Sequence, residues 1–323
     1  MKELSIHVKN LNKTFKIVKG NTGLFKKRNY QEIKAIKNIS LDIAKGEFVG
    51  FIGPNGAGKT TTLKCLSGLL SPDSGDIDIL GYTPSQKDYE FLQKISLVMG
   101  QKSQLWWELP PMDTFLLNKE IYQVEEKEFN EVVNELVKLL EIQDILDVQV
   151  RKLSLGQRMK CEIISSLLHN PEILFLDEPT IGLDIVSQYR LRDFFKEYNK
   201  RYNTTVLLTS HNMEDVKDLC KRVIVIDKGV ILFVGKVVDL VKKFVEKKEV
   251  SFVSKVNIFE KDLEKYGEVI KVKGRVVNLR VDRKESTKIV TEKMKNIEID
   301  DIDIQEPRLE DIVKDIFEKG YKI

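Results

Sequence analysis

The chain contains the stretch Gly53-Pro54-Asn55-Gly56-Ala57-Gly58-Lys59-Thr60, which matches the G-x-x-x-x-G-K-[ST] pattern of a phosphate-binding loop, or Walker A motif. Residues 47–52 before it are mostly apolar and predict a buried strand, and residues 61–70 after it predict a helix. The motif therefore lies between a strand end and a helix start, where backbone N–H groups and the helix dipole favour an anion. In such a loop Lys59 is expected to reach the β- and γ-phosphates, and the Thr60 hydroxyl to hold Mg²⁺.

Length and composition indicate a globular protein with one large and one small domain. The net charge is only +3, and basic residues are spread along the chain, so nucleic acid is not expected as a partner. No apolar run approaches the length of a membrane span, and the first residues have no apolar core resembling a signal peptide. The three cysteines have neither metal-like nor disulfide-like spacing, which fits a reducing cytoplasm.

A second apolar strand, predicted over residues 173–176, ends in the two carboxylates Asp177 and Glu178. An apolar strand that ends in aspartate is the Walker B pattern. Asp177 is then expected to hold Mg²⁺, and Glu178 is placed to polarise the attacking water. A salt-bridged strand end is the alternative, and the phosphate-binding loop makes it the less favoured one.

Gln101 and His211 each follow a further apolar strand. Open α/β sheets bind ligands at the carboxyl ends of their strands, so both side chains are expected at the same edge as the carboxylates. There the Gln101 amide can contact both the metal and the attacking water, and His211 can hydrogen-bond the γ-phosphate. A lone histidine is usually structural, and we assign that role to His7 and His169.

Six motifs follow one another in the chain. In order they are residues 53–60, Gln101, Leu153-Ser154-Leu155-Gly156-Gln157, the acidic strand end at 174–178, Ile181-Gly182-Leu183-Asp184 and His211. This ordered set resembles the nucleotide-binding domain of ABC transporters, over roughly residues 4–236. The resemblance implies an α/β fold, a P-loop NTPase of the ABC ATPase type with an antiparallel β subdomain and a helical subdomain. It also implies an enzyme that binds ATP and Mg²⁺ and hydrolyses ATP.

The resemblance also implies which residues bind the nucleotide. The phosphate-binding loop and Thr61 hold the phosphates, and Phe15 stands where the family places an aromatic residue, usually tyrosine, that stacks on adenine. Residues 153–157 match the signature motif, in which Leu155 replaces the usual glycine.

The signature motif and the aspartate after it are assigned by the resemblance to an interface. Ser154 and Gly156 of one subunit are expected to contact the γ-phosphate held by the other, with Gln157 beside them. Asp184 matches the D-loop aspartate that crosses this interface. Each motif occurs once, so the simplest expectation is a homodimer with two complete sites, which closes on ATP and loosens after hydrolysis.

The membrane partner is expected to be a separate integral membrane permease, which would place this chain peripherally at the cytoplasmic face of the membrane. Trp106 and Trp107, within residues 105–111, suit a groove that receives a helix of that permease, but core packing explains them equally well. The basic insertion at residues 16–31 is predicted to be a loop or hairpin; a solvated edge is favoured over contact with lipid headgroups.

The chain changes character near residue 238, which predicts a nucleotide-binding domain at 1–237 and a C-terminal accessory or regulatory domain at 238–323. After a charged connector at 242–248, the pattern predicts the order strand-helix-strand-strand-helix-strand, a ferredoxin-like α+β domain. The tail resembles those of bacterial exporter-type ATPases of drug resistance and sodium extrusion. We therefore expect an exporter; the alternatives are an importer ATPase and a soluble ABC ATPase that acts on nucleic acid or a protein assembly.

Overall fold

The computed structural model describes residues 3–19, 29–100, 102–244, 247–283, 285–289, 291, 297–305, 307 and 309–319. The chain divides into two compact units, one that extends to Gly235 and one that runs from Lys236 to Lys322. Within the described ranges, no helix is both long enough and apolar enough to cross a membrane.

The first unit contains nine strands and seven α-helices within its described residues. The strands are β1 (Leu4–Lys19), β2 (Asn29–Ala44), β3 (Phe48–Ile52), β4 (Ser74–Ile79), β5 (Ile95–Met99), β6 (Ile173–Asp177), β7 (Thr205–Thr209), β8 (Arg222–Asp227) and β9 (Val230–Lys236). The helices are α1 (Lys59–Leu66), α2 (Tyr89–Lys94), α3 (Pro111–Tyr122), α4 (Glu126–Leu140), α5 (Leu155–Leu167), α6 (Ile185–Tyr202) and α7 (Met213–Leu219).

A six-stranded sheet in the order β5-β6-β7-β3-β8-β9 carries the predicted motifs. Strands β5, β6, β7, β3 and β8 pair in parallel. Every residue of β3 and β7 is buried, which explains their continuous apolar runs. Parallel pairing brings the carboxyl ends of β3, β5, β6 and β7 to one edge, as expected for the phosphate-binding loop, the carboxylates and His211.

A second, three-stranded sheet in the order β2-β1-β4 is antiparallel, which confirms the predicted antiparallel β subdomain. One hydrophobic cluster joins it to α1 and the parallel sheet, through residues such as Ile6, Ile39, Leu63 and Phe51. Strands β1 and β2 pair as far as Lys19 opposite Asn29, so both flanks of the basic insertion belong to a hairpin. Residues 20–28 lie outside the described residues.

Residues 111–140 form two helices, with a break between Tyr122 and Glu126. Gln123 ends α3 in the left-handed conformation, with a φ of 54°, and its N–H bonds to carbonyls of the last turn. Helix α4 then packs its apolar face inward through Phe129, Val133 and Leu140. Helix α3 packs against α5, and α4 packs against α5 and α6, so the two helices make separate tertiary contacts.

The second unit contains α8 (Val237–Phe244), β10 (Lys247–Ser254), α9 (Glu260–Leu263), β11 (Glu268–Lys273), β12 (Val276–Asp282), α10 (Ser286–Lys288), β13 (Ile299–Gln305) and α11 (Leu309–Lys319). Its sheet has the order β11-β12-β10-β13, with every neighbouring pair antiparallel. This order and pairing confirm the predicted ferredoxin-like topology. The core lies on one face of the sheet, where Phe252 and Leu279 are almost completely buried.

The charged connector predicted at 242–248 is wrong over all of its described residues, because a helix covers its start and Lys247 and Lys248 begin β10. Lys242 and Lys243 belong to α8, a helix in which Leu240 is completely buried. The helix forms because its apolar residues recur on one face, while the lysines project from the other. Residues 245–246 lie outside the described residues.

Candidate active site

A cleft of about 510 Å³ lies at the carboxyl edge of the parallel sheet. Its lining includes Phe15, Asn55, Gly56, Gly58, Lys59, Thr60, Thr61, Asp177 and Glu178. Ile17 and Ile33 line it as well, on the β1–β2 hairpin beside Phe15. Sequence analysis missed these two isoleucines, although Phe15 and Ile17 alternate along one face of a strand. The cleft thus combines a polar floor with an apolar wall.

The phosphate-binding loop connects β3 to α1 in a conformation that requires glycine. Gly58 has a φ of 109°, and a Cβ added to it would lie 2.6 Å from the Ala35 carbonyl oxygen. The buried Lys59 donates from Nζ to the carbonyl oxygens of Gly53 (2.8 Å) and Pro54 (3.1 Å). Burial lowers the pKa of Lys59, and the carboxylates of Glu178 and Asp177 act in the opposite direction. This amine is therefore held at the loop and faces negative charge.

Asp177 lies within hydrogen-bonding distance of Thr60, the other residue predicted to hold the metal. Thr60 Oγ1 donates to Asp177 Oδ2 at 2.8 Å, and Thr209 Oγ1 donates to Asp177 Oδ1 at 2.6 Å. A hydroxyl oxygen and a carboxylate oxygen side by side are hard ligands of the type that Mg²⁺ prefers. These residues therefore fit the expected metal. Gln101, the third predicted contact of the metal, lies outside the described residues.

Glu178, the residue after Asp177, is held in place through both its backbone and its side chain. Its φ is 56°, a left-handed conformation that is costly for a residue other than glycine and is often found at functional sites. His211 Nε2 lies 2.6 Å from Glu178 Oε1, so the predicted pair of catalytic side chains is in direct contact. The Gly100 N–H donates to the Asp177 carbonyl oxygen at 2.8 Å, which attaches the end of β5 to the same turn.

The signature residues form a surface of their own and do not line the cleft. Ser154 caps α5: Ser154 Oγ accepts from the Gln157 N–H at 3.2 Å, and Gln157 Oε1 accepts from the Ser154 N–H at 2.9 Å. This capping box leaves the N-terminus of α5 open to solvent. A helix N-terminus favours negative charge, so this surface can bind an anion that another molecule presents.

Asp184 lies beside the signature residues on the same surface. Its carboxylate caps α6, accepting from the Ser187 N–H (2.9 Å) and Ser187 Oγ (2.6 Å), and these hydrogen bonds lower the pKa of Asp184. Ser187 packs against Gly156, and Leu155 packs against Gly182. Leu155, which replaces the usual glycine of the signature motif, thus contacts the segment that leads to Asp184.

The tryptophan pair is exposed, and the interpretation as core packing is wrong. Trp106 and Trp107 are 59% and 49% exposed. The Trp107 ring stacks on the Arg158 guanidinium, with the Cζ 4.8 Å from the ring centroid, and the Trp107 carbonyl oxygen accepts from the Arg151 N–H at 3.0 Å. The pair therefore lies on the surface, attached to the segment that leads into the signature motif.

Comparison with known proteins gives two family matches. Residues 36–181 match the family model described as ABC transporter, and residues 246–305 match the EvrA-like ABC transporter C-terminal domain.

Individual proteins match over about two thirds of the chain or more. The linearmycin resistance ATP-binding protein LnrL of Bacillus subtilis (strain 168) is 33% identical, over 66% of this chain and 68% of that protein. The methionine import ATP-binding protein MetN of the same strain is 30% identical, over 84% of this chain and 82% of that protein. A dimeric structure of the ATP-binding cassette MJ0796, in a post-hydrolysis state bound to ADP and phosphate, aligns with a TM-score of 0.62 and 27% identity. That alignment covers 72% of this chain and 98% of the cassette.

These matches agree with a cleft in which a phosphate-binding loop meets two carboxylates, one of which contacts a histidine. The fold is that of the ABC ATPase cassettes, with a mixed α/β core. The chain belongs to the ABC transporter ATP-binding proteins, and it is an ATPase whose hydrolysis of ATP is coupled to transport.

Proposed function

We propose that this chain is the ATP-hydrolysing subunit of an ABC exporter, that it works as a homodimer, and that it binds separate permease subunits at the cytoplasmic face of the membrane. The observation that carries the proposal is the division of the motifs between two surfaces. Lys59, Thr60, Asp177 and Glu178 line one cleft, while the signature residues lie outside it. Such a division is useful only if a second subunit completes the site.

Within the cleft, the residues have distinct roles. Lys59 and the N–H groups of the phosphate-binding loop bind the phosphates, and Phe15 stacks on the base. Thr60 and Asp177, with Gln101, hold Mg²⁺, which when bound supplies positive charge to the phosphate oxygens. Glu178 accepts the proton of the attacking water at its carboxylate. His211, 2.6 Å from Glu178 Oε1, orients that carboxylate, and we assign it a hydrogen bond to the γ-phosphate.

The second surface acts on the nucleotide of the partner subunit. Ser154 and Gly156 at the start of α5 contribute a hydroxyl and helix N–H groups to the γ-phosphate, and Gln157 keeps Ser154 in place through the capping box. Asp184 lies beside them. The dimeric state of the MJ0796 cassette, which holds ADP and phosphate, supports this arrangement. Because γ-phosphate bridges the two subunits, its loss loosens the dimer.

Contact with the permease is proposed for the exposed tryptophan pair, because the segment around it is attached to α5. Arg151 and Arg158 contact Trp107, as described above. In addition, the buried Glu162 of α5 accepts hydrogen bonds from the Ser103 hydroxyl and from the Gln104 N–H (2.7 Å). A permease helix on Trp106 and Trp107 would therefore be mechanically linked to the helix that carries Ser154.

The double substitution Trp106→Ala/Trp107→Ala is expected to weaken permease binding at least tenfold, since buried tryptophans dominate interfaces. Basal ATPase activity of the isolated chain should stay within about twofold, because neither side chain lines the cleft. Co-purification with the permease measures the first effect. Phe259→Ala, which removes a comparably exposed aromatic residue from the second unit, is the matched control. Unchanged co-purification of the double variant would contradict this contact.

The direction of transport is proposed from the tail and from the resistance-type relative. The importer MetN is similar over a larger share of the chain, so an importer is the second candidate. Everted membrane vesicles that contain the chain and its permease separate the two: an exporter accumulates cargo inside them when ATP is supplied outside, whereas an importer does not. If no membrane protein co-purifies with the chain, the soluble alternative is favoured instead.

We propose a regulatory or bracing role for the accessory domain at 238–323, which contains most of the second unit. Deletion of this domain is expected to leave nucleotide affinity within about twofold, because every proposed contact of the nucleotide lies before it. Dimer formation or steady-state ATPase activity should change instead. Titration with a fluorescent ATP analogue checks the first point and sedimentation the second. Loss of nucleotide affinity in a folded deletion variant would contradict this role.

A further inference from the structure

We propose that Thr209 is a positioning residue that fixes the Asp177 carboxylate and the Glu178 backbone, and thereby sets the affinity of the cleft for Mg²⁺. This inference rests on the proposed role of Asp177 in holding Mg²⁺. Neither the motifs nor the family resemblance single out Thr209, because threonine is an ordinary residue in a buried strand.

Thr209 uses its hydroxyl as both a hydrogen-bond donor and a hydrogen-bond acceptor. It is the last residue of β7 and is completely buried. Its Oγ1 donates its one proton to Asp177 Oδ1 at 2.6 Å and accepts from the Glu178 N–H at 3.2 Å. The Glu178 N–H also donates to the Thr209 carbonyl oxygen at 3.0 Å. A single hydroxyl therefore contacts the proposed metal ligand and the backbone of the proposed general base.

These contacts give the two carboxylate oxygens of Asp177 different partners. Oδ1 is bound by Thr209, so the carboxylate cannot rotate freely, and Oδ2 is directed to Thr60 at 2.8 Å. The parallel register makes this possible, because Asp177 of β6 lies opposite Thr209 of β7. Groups that hydrogen-bond a metal-ligating carboxylate typically change metal affinity 10- to 100-fold when they are removed.

The same strand end also positions His211. Thr209 is two residues before His211, whose Nε2 contacts Glu178 Oε1 at 2.6 Å. Glu178 is thus held from the β7 side twice, at its backbone N–H by Thr209 and at its carboxylate by His211. The left-handed φ of Glu178 needs such restraint, because that conformation is unfavourable without it.

The test is Thr209→Val, which keeps the shape of the side chain and removes the hydroxyl. Thr205→Val is the matched control: Thr205 begins the same strand, is also completely buried, and its hydroxyl bonds Ser5 and the Gly46 N–H away from the cleft. We expect Thr209→Val to weaken Mn²⁺ binding in the presence of ADP, measured by electron paramagnetic resonance, about tenfold. The Mg²⁺ concentration for half-maximal ATPase activity should rise by a similar factor. Thr209→Ser should restore both values, and nucleotide affinity in EDTA should be unchanged in every variant.

Unchanged Mn²⁺ affinity in folded Thr209→Val, or an equal loss in Thr205→Val, would overturn the proposal. If Thr209→Val does not fold, Thr209→Ala provides the same comparison with Thr209→Ser. A separate result would show that the proposed role of Asp177 in holding the metal is wrong: Asp177→Asn would then bind Mn²⁺ as tightly as the wild type does. If Asp177→Asn weakens Mn²⁺ binding but Thr209→Val does not, only the role of Thr209 is refuted.

Discussion

Glu178→Gln is expected to lower steady-state ATP hydrolysis by about 10³-fold, the usual contribution of a general base, while ATP affinity stays within about twofold. The amide keeps the size of the side chain and can still contact His211, but it cannot take a proton from water. ATP then remains bound between two subunits, and the dimer should persist in size-exclusion chromatography with ATP and Mg²⁺.

The matched control for this prediction is Glu172→Gln. Glu172 precedes β6, the strand that Glu178 follows, and its partner Lys94 lies 3.4 Å away, remote from the cleft lining. Its loss should leave turnover within about twofold, since exposed ion pairs contribute little. Normal turnover of Glu178→Gln would remove this residue from the role of general base.

Ser154→Asp is the second prediction with a large effect, because it separates folding from function. Aspartate caps helices as well as serine does, so the start of α5 and the melting temperature should be preserved. A carboxylate at this position repels a γ-phosphate, however, and one donor to it is lost. Hydrolysis should fall at least 10²-fold, as for the loss of other preorganised donors to phosphate or oxyanion groups.

Binding of nucleotide by the isolated Ser154→Asp chain should be unchanged, because Ser154 does not line the cleft that holds Lys59 and Thr60. Equilibrium titration of monomer with a fluorescent ATP analogue measures this. A variant that hydrolyses ATP at the wild-type rate would contradict the assignment of Ser154 to the site.

Local sequence predicted the parallel sheet of the first unit because its central strands are buried on both faces. Continuous apolar runs such as β3, β6 and β7 leave few alternatives to a parallel sheet, and parallel strands deliver their carboxyl ends to one edge. Asp177, Glu178 and His211 could therefore be assigned to one place from their position after these strands. The phosphate-binding loop is equally local, since its glycines and lysine act within eight consecutive residues.

Features that depend on contacts between distant segments were beyond sequence reasoning. The side chains of Trp106 and Trp107 suit a core or a surface equally well, and only contacts with distant residues, such as those of Trp107 with Arg151 and Arg158, hold this segment at the surface. Thr209 acquires its importance only because β7 lies beside β6 in one particular register.

In the proposed function, two copies of this chain complete each ATP site. The most direct measurement mixes two inactive variants, Lys59→Met, which lacks the phosphate-binding amine, and Ser154→Asp, which lacks a functional signature surface. Each variant alone forms homodimers with no complete site. A mixed dimer has one intact site, since the cleft of one chain meets the signature surface of the other.

Equal mixing should therefore restore about a quarter of wild-type ATPase activity, because about half of the dimers are mixed and each has one of its two sites intact. Wild-type chains diluted with an inert protein give the reference rate. Activity of the mixture no higher than the mean of the two separate variants, although co-purification of differently tagged copies shows mixed dimers, would contradict the claim.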